Sequence, residues 1–408
     1  MKALIIAGGL PQIELIRQLK CRGIKTILVD GSLNAVARPY ADKFFLVDVF
    51  DIMAIKGIAI NEKVDFLITV CADQVLLVVA QVSEMLGLPC YIDYETGINV
   101  SNKIKMKRLF RQNAIPTTDY VEITQLNKDS LSQLHYPLVV KPVDAYSSKG
   151  VRRADSFDEL AHYYEDAHRI SRSGGVIVEE FFGGEEISVD AFVVDGRVRV
   201  LSISNSEKVK DKDRFVIFRG RYPASISESV KNQITVIAQK IADAFGLVNS
   251  PLLIQLLTNG EKISVLEFCA RTGGNMKYLL IKYSCGVDVI GATIDITLGL
   301  KPDLSPKYNT HNVVVNDFIY CNPGTFYSFH GFEGLVDSGV INEFHPVRIK
   351  GTNIHGVTSS SDRIAGMNIV ADCIEDYNNK LKIINESVKV IDIDGNDMMR
   401  HDLLPFII

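Results

Sequence analysis

The chain has 408 residues, 47% hydrophobic and 23% charged, a composition typical of a globular protein with two or three domains. Its net charge of −5, without a basic stripe, argues against nucleic-acid binding. No apolar run approaches the roughly 18 residues of a membrane span, and the start of the chain does not resemble a signal peptide. The seven cysteines are scattered and form no CxxC pair, which argues against disulfides and zinc. We therefore expect a cytoplasmic protein.

Residues 1–100 alternate apolar strands with helices, which predicts a parallel-sheet βαβ module. The strands are predicted at 3–7, 26–29, 44–47 and 66–70, with helices after Pro11 and over 73–86. Gly8 and Gly9 with Asp30 resemble part of a dinucleotide fingerprint, but the third glycine is missing, so an NAD site is disfavoured. We expect the glycine turn to line a substrate pocket. Asp73 is either a helix N-cap or a ligand contact.

An α+β pattern follows. Helices are predicted over 101–115, 125–134 and 157–170, and strands over 138–140 and 176–178. Asp195 and Gly196 separate two alternating strands and predict a hairpin turn.

A loop of small residues follows the strand at 138–140, where the sequence reads LVVKPVDAYSSKG up to Gly150. Backbone N–H groups, including that of Gly150, and the hydroxyls of Ser147 and Ser148 can surround phosphate oxygens in such a loop. Lys141, at the end of the strand, supplies a positive charge. Taken alone, this segment is more typical of a surface turn that follows a core strand.

The strand at 176–178 ends in acidic and aromatic residues, and residues 176–190 read VIVEEFFGGEEISVD. The backbone after such a strand can meet the edge of a purine, which predicts that Glu179, Glu180 and Phe182 hold the base. Glu186 lies seven residues after Glu179, and its carboxylate can accept hydrogen bonds from ribose hydroxyls.

The pattern beyond residue 205 is less regular. We expect a mobile loop over 206–222, where Lys208 is a candidate phosphate contact, and an amphipathic helix over 225–245. Paired strands are predicted at 251–257 and 263–268, followed by a helix over 287–298. The C-terminal part is predicted as β-rich, with strands at 312–320, 343–349, 356–360 and 388–393 and one helix over 367–381.

The sequence VLEFCARTGGN at 265–275 places Arg271 directly after a strand. A guanidinium there can hold a carboxylate or a transferring phosphoryl group in a bidentate manner. The neighbouring glycines allow backbone amides to approach a ligand.

Together, these three ordered motifs resemble the ATP-grasp superfamily, and within it carboxylate–amine ligases and the large subunit of carbamoyl-phosphate synthase. The resemblance implies an ATP-grasp fold, of mixed α/β and α+β class, in four parts. These are a Rossmann-like pre-ATP-grasp domain (1–100), a small lid subdomain (101–205), a large subdomain with the metal strand (206–305) and a C-terminal lobe (306–408). It also implies an ATP-dependent C–N ligase that forms an acyl phosphate from a small carboxylate and passes it to an amine. The sequence does not fix the oligomeric state, although homodimers are common in the family that the chain resembles.

The resemblance also implies the cofactors and the remaining site residues. Lys103 and Lys141 would contact the phosphates of ATP, and Arg271 would stabilise the phosphoryl or carboxylate group. Mg²⁺ would be held by Glu267 with Gln255, because magnesium prefers hard oxygen ligands.

Two positions depart from the family pattern. Gln255 stands where a carboxylate is usual, and Cys269 stands where an asparagine is usual. Either phosphates and water complete the metal shell in an active enzyme, or the protein has become a non-catalytic ATP-binding protein. We favour activity, because the lysines, the acidic residues after the strand at 176–178 and Arg271 are all present.

Overall fold

The N-terminal domain is a parallel sheet with helices packed on it. The structure is a computed structural model that describes residues 1–145, 148–209, 214–274 and 276–407. The sheet has four parallel strands in the order β3-β2-β1-β4, and this confirms the predicted Rossmann-like domain. Its elements are β1 (Lys2–Ile6), α1 (Leu10–Cys21), β2 (Lys25–Asp30), β3 (Lys43–Leu46), α2 (Ile52–Glu62), β4 (Phe66–Ile68) and α3 (Asp73–Leu86). The carboxylate of Asp30 accepts a hydrogen bond of 2.7 Å from the Gly8 N–H, so it closes the glycine turn.

A small antiparallel sheet of order β5-β8-β6-β7 follows the linker helices. The helix Phe157–Ile170 packs on β6 and β7 of this sheet through buried residues such as Leu160 and Tyr164. The elements are α4 (Tyr94–Ser101), α5 (Lys103–Gln112), β5 (Tyr120–Ile123), β6 (Leu138–Pro142), β7 (Arg152–Ala154), α6 (Phe157–Ile170) and β8 (Val176–Glu180). The helix predicted at 125–134 is wrong, since only a single 3₁₀ turn forms there, at Asp129–Leu131. Hydrogen bonds between Ser130 and Asn127 stabilise this turn instead of a longer helix.

The largest sheet has eight antiparallel strands in the order β13-β12-β9-β10-β11-β14-β18-β16. It joins the second half of the small-subdomain sequence to the C-terminal lobe. Its elements and the helices along it are β9 (Glu185–Val194), β10 (Arg197–Lys208), β11 (Ile217–Tyr222), α7 (Glu228–Ala244), β12 (Ser250–Thr258), β13 (Ile263–Cys269), α8 (Lys277–Cys285), α9 (Val289–Thr297) and β14 (Val313–Ile319).

The C-terminal lobe adds the last two strands of that sheet and a three-stranded sheet of order β17-β15-β19. Its elements are β15 (Gly324–His330), α10 (Phe332–Asp337), β16 (Glu343–Pro346), β17 (Asn353–Ile354), β18 (Ala365–Ala371), α11 (Ile374–Ser387) and β19 (Lys389–Asp392). No helix within the described ranges is both long and apolar enough to cross a membrane.

Three predictions beyond residue 205 are wrong. Residues 365–371 form β18, and the helix that was predicted over 367–381 begins only at Ile374. A strand buried on both faces shows no alternation of apolar and polar residues, so its sequence does not identify it as a strand. Residues 356–360 contain no strand. Residues 217–222 form β11, although they were expected in a loop; their arginines obscured the strand pattern because they are paired inside the sheet. Residues 210–213 of that predicted loop lie outside the described residues.

Arg219 on β11 is the centre of a buried polar cluster that joins the large sheet to the C-terminal segment. Its side chain is fully buried, and its Nε donates a 2.6 Å hydrogen bond to Asp317 of β14. Tyr377 of α11 donates to the other oxygen of Asp317, and the Arg219 Nη1 donates to the carbonyl of Pro405. The guanidinium therefore depends on Asp317 as its counter-ion.

We predict that Asp317→Ala lowers the free energy of unfolding by about 3–5 kcal/mol, because it leaves the buried charge of Arg219 without its closest carboxylate. Urea unfolding at neutral pH measures this loss. Tyr377→Phe, which removes one hydroxyl, should lower it by only about 1 kcal/mol. A loss under about 1 kcal/mol for Asp317→Ala would show that Arg219 does not depend on this carboxylate.

Candidate active site

A cleft of about 290 Å³ lies between the small sheet and the large sheet, and we call it the main cleft. The ends of β6 and β8 contribute one wall, and β9, β12 and β13 contribute the other. The main cleft brings together nine of the predicted site residues: Lys103, Lys141, Ser148, Glu179, Glu180, Phe182, Glu186, Gln255 and Glu267. The sequence motifs thus meet in space although they are far apart in the chain.

The loop after β6 enters this site only in part. Ser148 lines the main cleft, and Ser147 lies outside the described residues. Gly150 is not among the lining residues. It has a φ of +70°, and a Cβ there would lie 2.9 Å from the Pro142 side chain. Gly150 therefore shapes the turn of the loop, and its predicted place at the phosphates stays a prediction.

The carboxylate of Glu179 is fully enclosed by cationic and hydroxyl groups. One oxygen lies 3.0 Å from the Lys107 Nζ and accepts a hydrogen bond from the Thr118 hydroxyl, and the other lies 3.1 Å from the Lys141 Nζ. Burial by itself raises the pKa of the Glu179 carboxyl, but the two ammonium groups outweigh it and hold the pKa at about 2. Glu179 thus holds the ammonium group of Lys141, at the end of β6 where the small-residue loop begins.

The sequence analysis did not identify Lys107, which is only 1% exposed. Lys103, Lys105 and Lys107 form a basic run, and such a run is usually a solvated helix face. The useful signal was the spacing, because residues i and i+4 such as Lys103 and Lys107 share one face of a helix. On α5 that face points toward Glu179 and Glu267. Burial lowers the pKa of Lys107 despite the nearby Glu179.

Glu186 and Gln255 meet on neighbouring strands at the other wall of the main cleft. The Gln255 side-chain amide donates a 3.1 Å hydrogen bond to one oxygen of Glu186, and the Lys208 Nζ lies 2.5 Å from the other oxygen. Lys208, predicted as a loop residue, is the last residue of β10 and lines the main cleft. Lys208 therefore lines the main cleft together with Lys103, Lys141 and Lys149.

The predicted metal residues Gln255 and Glu267 face each other across β12 and β13. A Glu267 oxygen lies 3.0 Å from the Lys103 Nζ, which also donates to the carbonyl of Ala145. Cys269 lies two residues further along β13, and burial raises the pKa of its thiol well above the ordinary value, which makes it a poor magnesium ligand. No group of three or more His, Cys, Asp or Glu side chains suited to a metal occurs in the described part of the chain.

The donor set of one carboxylate and one amide oxygen fits magnesium only when phosphate oxygens and water complete the shell. Magnesium in nucleotide sites is commonly held in this way, by one or two carboxylates and the phosphates. The residues present thus fit a metal that arrives with a nucleotide, and they do not fit a protein-only metal site.

Arg271 lies beside the main cleft in a second cavity of about 170 Å³, which we call the inner cavity. Its guanidinium pairs with Asp73, and its Nη1 donates a 2.7 Å hydrogen bond to the carbonyl of Thr272. Asp73 is the first residue of α3 and does not cap it, so the N-cap interpretation is wrong and the contact with Arg271 replaces it. Lys103, Gln255 and Glu267 line both cavities, so the two spaces meet at the predicted metal residues.

A second buried pair, which the sequence analysis did not identify, lies behind the inner cavity. Asp190 on β9 is 1% exposed, and the Nζ of Lys277 lies 3.6 Å from its Oδ2 and donates to the Ser204 hydroxyl. Burial raises the pKa of Asp190 and lowers the pKa of Lys277. The alternation of Glu186, Ser188 and Asp190 on one face of β9 was the signal that could have revealed this position.

We predict that Lys107→Met lowers the free energy of unfolding by roughly 3 kcal/mol at pH 7, because it removes one of the two charges that balance Glu179. A carboxyl with a depressed pKa stabilises the fold above its ordinary pKa of 4.5, and this contribution disappears as the pH falls toward about 2. The difference between the variant and the parent should therefore shrink between pH 4.5 and pH 2. Urea unfolding of both proteins at several pH values in this range measures the difference.

Lys105→Met is the matched control, because Lys105 is exposed on the same helix. Its effect should stay within about 0.5 kcal/mol. A Lys107→Met difference that is constant from pH 7 to pH 2 would contradict the assigned role of Glu179.

Comparison with known proteins agrees with this geometry. Residues 134–278 match the model of the ATP-grasp domain family. A D-alanine–D-alanine ligase of Shewanella sediminis is 28% identical over 201 residues, which cover 45% of this chain and 59% of that protein. An L-arginine-specific L-amino acid ligase of Bacillus subtilis is 24% identical over 299 residues, 70% of each chain. The human mitochondrial carbamoyl-phosphate synthase is 23% identical over 309 residues, 71% of this chain and 19% of that protein.

The fold extends this similarity to nearly the whole chain. The crystal structure of an L-amino acid ligase from Bacillus licheniformis superposes with a TM-score of 0.79 at 22% identity, covering 96% of this chain and 98% of that one. The chain spans 59% of the length of the D-alanine–D-alanine ligase it matches, so the family model and the fold carry the assignment. The predicted fold class and family resemblance are confirmed, and the chain carries a domain of the ATP-grasp family within an ATP-grasp fold.

Proposed function

We propose that the protein is an ATP-dependent ligase that joins a small carboxylate to an amine and releases ADP and phosphate. The observation that carries this proposal is the meeting of Lys103, Gln255 and Glu267 where the main cleft, which Lys141 also lines, joins the inner cavity. A nucleotide in the main cleft would direct its terminal phosphate toward a substrate in the inner cavity. The names of the ligases to which the chain is similar support the same reaction class.

In this proposal, the main cleft binds ATP. Lys141 and Lys103 bind its phosphates, together with Ser148 of the loop. The backbone and side chains of 179–182 hold the adenine, and Glu186 accepts hydrogen bonds from the ribose. Lys208 pairs with Glu186, and this pairing supports assigning Lys208 a contact with the nucleotide as well.

Magnesium would be held by Glu267 and the amide oxygen of Gln255, and it would neutralise charge on the phosphates during transfer. Because Lys103 pairs with Glu267, the same carboxylate orients a phosphate-binding lysine.

The inner cavity binds the carboxylate substrate, whose oxygen attacks the terminal phosphorus of ATP while ADP leaves. Arg271 stabilises the negative charge of the reacting groups, and Asp73 holds its guanidinium in place. The nitrogen of the amine then attacks the acyl carbon, loses a proton and displaces phosphate. No residue of the protein needs to act as a covalent nucleophile.

A non-catalytic ATP-binding protein is the second candidate, and the neutral side chains at Gln255 and Cys269 favour it. The substitutions Gln255→Asp and Cys269→Asn would restore the family's ligands. If this double variant gains ATP turnover while the parent has none, the second candidate is correct. The predicted cytoplasmic location and homodimer stay predictions.

The proposal is tested by ADP and phosphate release from MgATP in a panel of amino acids and small carboxylates. Release that depends on one acid and one amine supports the ligase and identifies both substrates. Binding of ATP without turnover for any acid–amine pair would contradict it and favour the non-catalytic candidate.

We predict that Lys141→Ala lowers kcat/KM for MgATP by about 100-fold or more, because the terminal phosphate loses its cation and Glu179 loses one partner. Steady-state ADP release measures this change, and thermal melting checks that the variant is folded. Lys105→Ala, on the exposed side of α5, should leave turnover within about twofold. An unchanged ATP affinity and rate for Lys141→Ala would exclude its assigned role.

A further inference from the structure

The second half of the proposed reaction requires a proton acceptor. An aliphatic amine is an ammonium ion at neutral pH, because its pKa is close to that of a lysine side chain, about 10. An ammonium nitrogen has no free electron pair, so it attacks the acyl carbon only after it has lost a proton. A group in the inner cavity must therefore take up that proton before the amide forms.

Most titratable side chains that line the inner cavity are unsuited to this step. Arg271 and Arg363 stay charged at any ordinary pH. Burial lowers the pKa of Lys103, but Glu267 outweighs burial and the pKa is raised overall, so Lys103 also stays charged. Asp73 and Glu267 each form an ion pair with one of these cations. These groups are therefore poor proton acceptors.

Lys277, the first residue of α8, is the lining side chain that suits the step. Burial lowers the pKa of its ammonium group, although the neighbouring Asp190 opposes this effect. The positive end of the helix dipole at the start of α8 also disfavours a charge on Lys277. The thiol of Cys269 is a poor acceptor by comparison, because burial raises its pKa and keeps it protonated. A lysine that loses its proton readily can act as a base.

The contacts of Lys277 orient its Nζ and leave it able to meet a substrate. The Nζ donates a 2.6 Å hydrogen bond to the Ser204 hydroxyl, which in turn donates to the carbonyl of Ser188. An ammonium group has three N–H donors. Among the described residues, only Ser204 accepts one of them within hydrogen-bond distance, so the nitrogen can also face the cavity that it lines.

Asp190 lies behind Lys277 and forms the second half of the pair. Its Oδ2 is 3.6 Å from the Nζ, and neither of its carboxylate oxygens has a hydrogen-bond partner within the described part of the chain. A buried carboxylate without hydrogen bonds is unfavourable, and burial raises the pKa of Asp190. A proton that moves from Lys277 to Asp190 removes both buried charges, so the transfer needs little energy.

The position of Lys277 suits a group that acts on the amine. The inner cavity crosses the large sheet from its reacting end, at Glu267 on β13, to its remote end, at Asn316 on β14. The Nζ of Lys277 contacts β9 and β10, which lie between these strands. Gly273, two residues after Arg271, lies against the stem of Lys277, where a Cβ would come within 2.5 Å of its Cγ. Lys277 therefore lies beside the reacting groups, on the path of an amine that enters from the remote end.

Two other charged side chains of the described chain act on this pair. Arg271 opposes the rise in the pKa of Asp190, and Glu186 opposes the fall in the pKa of Lys277. Burial outweighs both. Two thiols, whose pKa burial raises, also face Asp190; they belong to Cys71 and Cys285.

We propose that Lys277 and Asp190 together accept the proton of the amine substrate. This inference rests on the proposed ligase function. Lys277 takes a proton from the substrate ammonium and passes one of its own to Asp190, so the substrate nitrogen gains a free electron pair. The nitrogen then bonds to the acyl carbon while the bond from that carbon to the phosphate oxygen breaks. A second proton leaves the nitrogen with the departing phosphate, and Asp190 returns its proton to water. Lys277 is the catalytic residue here, and Asp190 is a positioning residue that acts through it.

The test compares two nucleophiles for the same acyl phosphate. One is the amine identified by the panel above, and the other is hydroxylamine, which is mostly uncharged at neutral pH and needs no proton acceptor. Amide and hydroxamate formation with saturating MgATP are measured for the wild type, Lys277→Met, Lys277→Arg and Asp190→Asn. Lys282→Met is the matched control, because Lys282 lies on the same helix but pairs with Glu343 and does not line the inner cavity.

Lys277→Met should lower the rate of amide formation about 100-fold or more at neutral pH. Its hydroxamate formation should stay close to that of the wild type, which also shows that the variant folds and makes the acyl phosphate. Lys277→Arg should fail in the same way, because a guanidinium keeps the charge but cannot give up a proton. Asp190→Asn should lower amide formation about 10-fold or more, and Lys282→Met should resemble the wild type.

The pH dependence separates this role from a structural one. Lys277→Met can use only the free amine present in solution, so its rate should rise about tenfold per pH unit toward the pKa of the amine. The rate of the wild type should rise much less steeply, because it uses the ammonium form. A wild-type rate as steep as that of the free amine would overturn the proposal, even if Lys277→Met does not fold.

Three other results would also overturn it. These are an unchanged rate of amide formation in Lys277→Met, full activity of Lys277→Arg, and an equal loss of amide and hydroxamate in Lys277→Met. Hydroxamate formation by the wild type in each of these cases would keep the ligase function while Lys277 loses its role. If the wild type forms neither product with any acid, the ligase function fails, and the role of Lys277 fails with it.

Discussion

The site depends on the buried carboxylate of Glu179 between the ammonium groups of Lys107 and Lys141. These three groups come from β8, α5 and β6, so one charge cluster fixes two strands of the small sheet against the linker helix. Removing Glu179 would leave two ammonium groups without their shared carboxylate, and removing either lysine would leave Glu179 with a single ionic partner. The cluster therefore couples the stability of the small sheet to the position of the lysine that we assign to the phosphates.

The same principle extends through the main cleft. Each carboxylate on the wall of the large sheet has a lysine beside it, Lys208 at Glu186 and Lys103 at Glu267. Four lysines line the main cleft, namely Lys103, Lys141, Lys149 and Lys208. Their positive charges would repel each other, and the carboxylates offset that repulsion. A nucleotide phosphate can share these lysines without leaving a buried carboxylate uncompensated, because magnesium would accompany it. A site of this kind favours the metal complex of the nucleotide over the free nucleotide.

Much of this arrangement could be predicted from the sequence, because the relevant segments are short and local. The helix over 157–170 and the hairpin at Asp195 and Gly196 followed from capping, periodicity and turn chemistry, and both are confirmed. Nine of the predicted residues line the main cleft, because motif order fixes where strand ends meet. The partners of these residues could not be found in this way. Lys107, Asp190 and Arg363 are charged residues whose burial depends on which elements pack together, and no local pattern reports that.

The position of the C-terminal lobe has a physical consequence for the inner cavity. Its strands β14, β18 and β16 continue the sheet that carries Gln255 and Glu267, so the reacting end and the remote end of the inner cavity belong to one rigid surface. Asn316 links the two parts further, because it donates to the carbonyl of Met276 before α8 and accepts from Asn368 of β18. A hydrogen-bonded sheet of this size holds Glu267 on β13 and Asn316 on β14 in fixed positions. The lining of the inner cavity is therefore set by the sheet itself.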